Sequence, residues 1–187
     1  MRSVARMVSD GRVRQVVVMG VSGVGKTTIA RGISTITGWT FAEGDDLHPP
    51  ANVAKMQEGQ PLTDEDRWPW LRLVGDWMSA EIAEGRSAVV TCSALRRSYR
   101  DLLRDGRPEV EFCHLAAESA LVGDRLQHRD GHFMPSSLLP SQYATLEPLE
   151  ADEPGVTVSV EGDVSEVLAR AVAALHVGPQ EGNRSGR

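Results

Sequence analysis

Gly20-Val21-Ser22-Gly23-Val24-Gly25-Lys26-Thr27 follows an apolar run at positions 16–19 and precedes a helix-forming segment that begins with Thr28. This order of strand, glycine-rich turn and helix fits the pattern G-x-x-x-x-G-K-[ST]. The glycines allow a tight turn whose backbone N–H groups point at phosphate oxygens, and the positive end of the helix dipole reinforces the same place. The motif therefore predicts that residues 20–28 bind a nucleoside triphosphate.

Two side chains of this loop carry chemistry of their own. Lys26 is expected to reach the outer phosphates as a point charge, and the Thr27 hydroxyl is expected to ligate Mg²⁺. Glycine-rich turns also occur without a nucleotide, but here both side chains and both flanking elements are present. The predicted nucleotide-binding residues are Gly20, Val21, Ser22, Gly23, Val24, Gly25, Lys26, Thr27 and Thr28.

The composition is that of one globular domain. The 187 residues are enough to bury a sizeable core, and 41% hydrophobic with 25% charged residues lies in the globular range. The formal net charge of −6 argues against a nucleic acid or an anionic membrane surface as the main partner. An acidic protein can still contain a local basic pocket.

The ends of the chain and its cysteines favour a cytoplasmic location. No apolar run approaches the length that crosses a bilayer, and the N-terminal segment lacks the apolar stretch of a signal peptide. Cys92 and Cys113 fall in apolar runs and are expected to be core residues in a reducing cytosol. We expect a flexible leader at residues 1–12, one domain at residues 13–176 and a disordered tail at residues 177–187.

Apolar runs alternate with helical patterns along the chain. The predicted strands are residues 13–19, 39–42, 87–91, 110–115 and 156–160. The predicted helices are residues 26–37, 51–57, 66–84, 95–104, 118–128, 140–146 and 164–176. Thr63 to Asp66 resembles a capping box, but Pro69 is not expected deep in a helix, so we place the start of the third helix near Asp66. The alternation predicts a doubly wound α/β fold with a parallel sheet of about five strands.

A phosphate-binding loop alone does not distinguish among GTPase switches, mechanical ATPases and kinases. A GTPase would normally need an N-K-x-D motif that reads the base, and the sequence has no such run. A mechanical ATPase is usually larger and has further nucleotide-sensing elements. The small size and a charged segment before the last predicted strand favour a small-molecule phosphotransferase with a mobile lid.

Several further blocks of the sequence are characteristic. They are Gly44-Asp45-Asp46-Leu47-His48-Pro49, Asn52 with Lys55-Met56, Gly59 with Pro61-Leu62-Thr63-Asp64-Glu65-Asp66-Arg67, Trp70-Leu71, Cys92-Ser93-Ala94-Leu95-Arg96-Arg97 with Tyr99-Arg100-Asp101-Leu102-Leu103, Gly131-His132-Phe133, and Gln142 with Thr145-Leu146-Glu147. Together these blocks resemble the gluconate kinase family over residues 13–175. The resemblance implies a P-loop kinase fold similar to shikimate and nucleoside monophosphate kinases. It also implies phosphoryl transfer from ATP to D-gluconate, which gives 6-phosphogluconate, and often a homodimer.

Two carboxylates follow the second predicted strand, at the sheet edge where ligands gather. The resemblance gives Asp45 the task of orienting the acceptor hydroxyl and taking its proton. From the residues alone, the less favoured alternative is that Asp45 is an ordinary turn residue. Glu43 stands where many relatives carry Asp, which can hold Mg²⁺ through water. Glu has the same charge and a longer reach, so the metal geometry stays open.

Three residues are candidates for contact with the substrate. His48 can donate to the polyol, or it can be an exposed loop residue. Arg67 would lie beside the positive end of a helix, where arginine is disfavoured; it binds either the substrate carboxylate or one of the nearby acidic residues at positions 64–66. Arg96 follows the third strand at the same sheet edge.

The predicted lid, at about residues 125–139, contains further candidates. Arg125 and Arg129 are one helical turn apart and match the lid arginines of such kinases, which neutralise charge on the transferred group. Arginines that end a helix are also common dipole partners. His132 is a further candidate lid contact.

Two alternatives remain besides a gluconate kinase. One is a kinase for a different sugar acid or small polyol, because substrate choice depends on pocket shape. The other is a catalytically weak nucleotide-binding protein. The presence of Lys26, Thr27, Asp45, Arg125 and Arg129 together weighs against this second alternative.

Overall fold

The computed structural model describes residues 11–117 and 139–179. Within these residues, five strands form one sheet: β1 (Gln15–Met19), β2 (Thr40–Glu43), β3 (Ala88–Thr91), β4 (Val110–Ala116) and β5 (Gly155–Ser159). All neighbouring strands pair in parallel, in the order β2-β3-β1-β4-β5. The predicted doubly wound parallel sheet is therefore confirmed.

Helices cover both faces of this sheet. Over the described ranges they are α1 (Lys26–Thr37), α2 (Pro50–Gln57), α3 (Asp64–Ala83), α4 (Arg97–Arg104), α5 (Leu139–Thr145) and α6 (Val164–Leu175), with a short 3₁₀ helix at Gly44–Leu47. Val16 and Val18 of β1 pack with α1 and α6, whereas Val17 and Met19 pack with α3 and α4. Because successive strand residues point to opposite faces, the continuous apolar run of β1 follows from helices on both sides.

The central position of β1 puts the phosphate-binding loop where the strand order reverses. β1 lies between β3 and β4, and the chain visits β2 and β3 on one side before β4 and β5 on the other. Thr91 at the end of β3 is in register with both Val18 and Glu43, so three strands end at one edge. Ligands of open α/β sheets bind in the crevice at this edge.

The start of α3 corrects one prediction. The helix begins at Asp64 rather than near Asp66, and Thr63 and Asp66 form a capping box that satisfies two backbone amides. Pro69 lies inside the helix, and because it has no N–H it cannot donate the usual hydrogen bond to the carbonyl of Glu65. Both residues are exposed, so water can solvate that carbonyl. The other predicted elements within the described residues agree with the structure to within two residues.

Some predictions concern residues that the structure does not describe. The helix at residues 118–128, nearly all of the lid, and the outer parts of the leader and tail lie outside the described residues. The two cysteines are buried and unpaired, as predicted, and burial raises the pKa of each thiol to about 12. No helix in the described part of the chain is long and apolar enough to cross a membrane.

Arg100 of α4 is fully buried and joins two separate segments of the chain. Its guanidinium donates to both carboxylate oxygens of Glu153, at 2.5 and 2.8 Å. It also donates to the carbonyl of Ala94, which follows β3, and to that of Glu147, which precedes β5. The buried ion pair therefore fixes the turn after β3 against the segment before β5.

Replacement of Arg100 by methionine is expected to lower the free energy of unfolding by about 3–5 kcal/mol, because the buried carboxylate of Glu153 would lose its bidentate partner. For a chain of this size, this corresponds to a melting temperature roughly 6–20 °C lower, measured by calorimetry. Arg97→Met is the matched control on the same helix, since the three closest carboxylate partners of Arg97 are exposed. Equal melting temperatures for the two variants would contradict this role of Arg100.

Candidate active site

The phosphate-binding loop joins β1 to α1 through backbone conformations that favour glycine. Gly20 has φ +138°, and a Cβ there would lie 2.8 Å from the carbonyl oxygen of Leu115. Gly25 has φ +105° and precedes the first residue of α1. No side chain among the described residues caps this helix end, so its first amides are available to an anion.

Lys26 lies between the loop and two carboxylates. Its ammonium donates to the carbonyl of Val21 at 3.0 Å. Burial lowers the pKa of Lys26, and the nearby carboxylates of Asp45 and Glu43 act in the opposite direction. A phosphate oxygen in the loop would offer this ammonium a charged acceptor in place of the carbonyl.

The two predicted metal ligands are in direct contact. The Thr27 hydroxyl donates to one Glu43 oxygen at 2.7 Å, and the Thr91 hydroxyl donates to the other. Gly44 makes this approach possible, because a Cβ there would lie 1.9 Å from the carbonyl oxygen of Thr91. The longer side chain of Glu43 is therefore held at both oxygens rather than loose.

These oxygens are of the type that Mg²⁺ prefers, a hydroxyl and a carboxylate at the edge of a phosphate site. The residues described by the structure contain no group of three or more histidine, cysteine or acidic side chains that could hold a metal on its own. A metal at Thr27 and Glu43 would therefore complete its shell with phosphate oxygens and water, which is how Mg²⁺ usually binds in kinases.

Asp45 and His48 lie on opposite ends of the 3₁₀ helix and face each other. The Asp45 side chain is 53% exposed, and its Oδ1 is 3.9 Å from Nε2 of His48. The His48 side chain is only 3% exposed and stacks on Trp70, with ring centroids 4.0 Å apart. Burial, and to a smaller extent Arg67, lower the pKa of His48 to about 4. His48 is thus a buried neutral group, and the alternative of an exposed loop histidine is wrong.

One cavity brings together five of the predicted residues, from the loop, the 3₁₀ helix and its end, and α3. Its lining residues are Ser22, Lys26, Asp45, His48, Met56, Pro61, Leu62, Arg67, Trp70, Ser93, Leu95, Ser141 and Gln142. The cavity lies at the carboxyl edge of the sheet and combines hydroxyl, carboxylate, imidazole and guanidinium groups. Such a lining suits a polar, negatively charged acceptor beside a nucleotide phosphate.

Arg67 pairs with an acidic neighbour, as one alternative predicted, and its binding of the substrate carboxylate stays a prediction. It lines the cavity, and its Nη1 is 3.8 Å from Oδ1 of Asp64. Arg96 donates to the other oxygen of Asp64 at 2.8 Å, and the Tyr99 hydroxyl donates to Oδ1 at 2.5 Å. Arg96 therefore lies behind Asp64 and is not among the residues that line the cavity. Two guanidinium groups share the one carboxylate of Asp64, which can neutralise only one of them.

Sequence reasoning missed two polar residues that shape the site. Gln142 of α5 is buried and accepts from the backbone N–H of Ser22 at 2.6 Å. Asn52 of α2 is also buried and contacts His48. Both belong to blocks that resemble the family, but nothing in their local pattern distinguished them from surface residues.

A second cavity, of about 480 Å³, opens on the other side of the loop. It is lined by Gly23, Val24, Gly25, Thr28, Ile29, Val160, Gly162, Asp163, Val164 and Val167. Most of this lining is apolar, and the cavity adjoins the helix end that is suited to phosphate. Its shape and position fit the nucleoside part of a nucleotide. The predicted residues Arg125, Arg129 and His132 lie outside the described residues.

Comparisons with known proteins find relatives over most of the chain. A gluconokinase of Gluconobacter oxydans (strain 621H) is 56% identical over 159 residues, 85% of this chain and 89% of that protein. The thermosensitive gluconokinase of Escherichia coli (strain K12) is 41% identical over 160 residues, 85% of this chain and 86% of that protein. The crystal structure of a gluconokinase from Sinorhizobium meliloti 1021 has a TM-score of 0.79 at 45% identity, covering 87% of this chain and 91% of that one. No family model matches the chain.

Proposed function

The chain belongs to the gluconokinase family, and we propose that its active site is the cavity lined by Lys26, Asp45 and Arg67. The enzyme catalyses ATP-dependent phosphorylation of gluconate. One observation carries the assignment of the site. A phosphate-binding lysine, a carboxylate that can take a proton and a cation that can hold the substrate acid all line one cavity at the carboxyl edge of the sheet.

ATP occupies the loop and the adjoining cavity in this proposal. Residues 20–28 hold the phosphates with backbone amides, and the nucleoside lies in the cavity between the loop and the start of α6. Lys26 leaves the carbonyl of Val21 and balances charge on the outer phosphates. Gln142 positions the loop through the amide of Ser22.

Asp45 serves as the group that orients the acceptor. A primary alcohol is a poor nucleophile, and a carboxylate within hydrogen-bond reach can align it and accept its proton. Asp45 is half-exposed at the mouth of the cavity and close to Lys26, which would hold the transferred phosphate. We assign the terminal hydroxyl of gluconate, at position 6, to this contact. His48 donates a hydrogen bond to the same polyol.

We propose Mg²⁺ as the metal, held by Thr27 and Glu43. The two side chains are already hydrogen-bonded to each other, and Thr91 keeps the Glu43 carboxylate in position. When bound, the ion supplies positive charge beside the phosphate oxygens. The hydroxyl–carboxylate pair fits this ion better than a softer metal, because no histidine or cysteine takes part in the contact.

Arg67 recognises the carboxylate of gluconate, and Arg96 supports it through Asp64. Asp64 can neutralise only one of the two arginines, so the substrate acid completes the charge balance. Arg67 lines the cavity itself, whereas Arg96 does not line it and acts through its ion pair with Asp64. Replacing Arg67 by alanine is therefore expected to raise the KM for gluconate about 10- to 100-fold, the effect of a lost hydrogen bond between charged groups.

The same variant should change the KM for ATP less than threefold, because the nucleotide cavity does not include Arg67. Steady-state kinetics with each substrate varied in turn measures both values. Arg72→Ala is the matched control, since Arg72 is an exposed arginine on the same helix and does not line the substrate cavity. An unchanged gluconate KM in Arg67→Ala would remove Arg67 from substrate binding.

The remaining parts of the proposal rest on the family resemblance. Arg125 and Arg129 close over ATP and neutralise charge on the transferred phosphoryl group, with His132 as a further contact. The enzyme works as a cytoplasmic homodimer on a small-molecule substrate, with neither nucleic acid nor membrane as partner. Light scattering on the purified protein tests the dimer, and a monomeric mass at working concentration would reject it.

Release of ADP across a panel of sugar acids and polyols tests the substrate. The proposal expects the highest kcat/KM with D-gluconate, and ³¹P NMR should show the phosphate on position 6 of the product. Preference for another sugar acid would leave the proposed kinase activity in place but would contradict gluconate as the substrate of the cavity. Absence of turnover with every acceptor, despite binding of ATP, would reject catalysis.

A further inference from the structure

Asn52 is buried on α2 and contacts two groups with its side-chain amide. Nδ2 donates to the backbone carbonyl of Asp66 at 2.8 Å, and the same Nδ2 is 3.3 Å from Nδ1 of His48. A carbonyl oxygen can only accept a hydrogen bond, so the NH₂ end of the amide must face Asp66. The orientation of the Asn52 amide is therefore determined by the backbone of α3.

This orientation determines the protonation of the histidine. An NH₂ group only donates, so Nδ1 of His48 must be an acceptor. A neutral imidazole whose Nδ1 accepts carries its proton on Nε2. We infer that Asn52 is a positioning residue that holds His48 as the Nε2–H tautomer, so that the ring presents a neutral donor to the acceptor hydroxyl. This inference rests on the proposed function of the cavity.

The ring is held rigidly enough for its tautomer to matter. His48 stacks on Trp70 at an interplanar angle of 16°, and the Trp70 indole N–H donates to the carbonyl of Gly44 at 2.7 Å. The charged groups that face the ring are Asp45, at 3.9 Å from Nε2, and Arg67. Burial keeps the ring neutral near pH 7, since the pKa of His48 is lowered to about 4.

The distance between Nε2 and Asp45 fits a bridging hydroxyl. Nε2 and Oδ1 are 3.9 Å apart, too far for a direct hydrogen bond but close enough for one oxygen to lie about 2.8 Å from both. Such a hydroxyl would accept from Nε2–H and donate its own proton to Asp45. In the other tautomer, Nε2 would be an acceptor and would compete with Asp45 for that proton. The tautomer set by Asn52 therefore directs the acceptor proton to the carboxylate.

Nitrogen NMR of ¹⁵N-labelled protein without substrates tests the tautomer directly. The chain has five histidines, and the His48 signals are identified by their loss in His48→Gln. We expect wild-type His48 to have protonated Nε2 and bare Nδ1 at pH 7. In Asn52→Asp the new carboxylate can only accept, so Nδ1 should become protonated. A wild-type spectrum with protonated Nδ1, or the same tautomer in both proteins, would overturn the inference.

Kinetics separate positioning from a general structural role. Asn52→Asp should raise the KM for gluconate or lower kcat by roughly three- to tenfold, the effect of one lost hydrogen bond, and leave the KM for ATP unchanged. In the His48→Gln background, the same substitution should add little, because its effect passes through the histidine. Equal losses in both backgrounds would show that Asn52 does not act through His48. Gln57→Glu, an exposed position on the same helix, controls for the added charge.

Failure of the inference and failure of the proposed function are distinguishable. If gluconate is not the substrate, the wild-type protein fails to turn over gluconate, whatever it does with the other acceptors of the panel, while the NMR result still decides the tautomer. If gluconate is the substrate but the tautomer is wrong, wild-type turnover is normal and the spectrum shows protonated Nδ1.

Discussion

Replacement of Lys26 by alanine should lower kcat for gluconate phosphorylation by about 10²–10³-fold. Phosphoryl transfer is catalysed mainly by positioning and charge stabilisation, and one charge-stabilising donor commonly contributes 10²–10³-fold. Lys26 is partly buried, its ammonium is held by the loop carbonyl of Val21, and it lies close to the carboxylate of Asp45, so alanine removes a positioned charge. Steady-state kinetics at saturating ATP and gluconate measures the loss.

Lys55→Ala is the matched control, because Lys55 is the other lysine of the chain and pairs with Asp66 outside the cavity. Its kcat should remain within about threefold of wild type, as expected for a partly exposed ion pair. A Lys26 variant that lost only ATP affinity, with kcat intact, would mean that the lysine binds substrate and transition state equally. That outcome would contradict a role in stabilising the transferred phosphate.

The sheet could be predicted from the sequence because its signals are local. The apolar run of β1 and the glycine-rich loop determine a strand, a turn and a helix within about 25 residues, and α1 begins and ends where the pattern predicted. The start of α3 was wrong because two local signals disagreed. The capping box at Thr63 forms and Pro69 is tolerated in the second turn, where the carbonyl that it leaves without a donor is exposed to water.

The loop and the strand ends of the site were also predictable, because parallel strands present their carboxyl ends at one edge. Thr27 and Glu43 are 16 residues apart, yet the topology alone brings them close enough for a hydrogen bond. Contacts that depend on packing were not predictable. Gln142 reaches Ser22 from 120 residues away, and no pattern near either residue indicates it.

Alternatives that the sequence left open were decided by tertiary contacts. Whether His48 is exposed or buried depends on Trp70, which lies 22 residues further on and provides the stacking surface. Arg67 could pair with an acidic neighbour or face the substrate, and the structure allows both because Arg96 shares Asp64. The sequence pattern does not show how many cations lie around one carboxylate in the folded protein.

Replacement of Asp45 by asparagine should slow phosphoryl transfer by about 10²–10⁴-fold, the usual contribution of a general base. Asparagine keeps the size of the side chain but cannot take the proton of the acceptor. The affinity for ATP should change less than threefold, because the nucleotide cavity does not include Asp45. Asp46→Asn is the matched control, since Asp46 is an exposed neighbour that does not line either cavity.

The single-turnover rate of Asp45→Asn, saturated with ATP, Mg²⁺ and gluconate and followed by rapid quench, tests the central claim most directly. The proposed site predicts a transfer step at least 100-fold slower than in wild type and in Asp46→Asn, with the dissociation constant for ATP unchanged. A transfer step as fast as in wild type, or an equal loss of ATP affinity, would show that Asp45 is not the group that orients the acceptor.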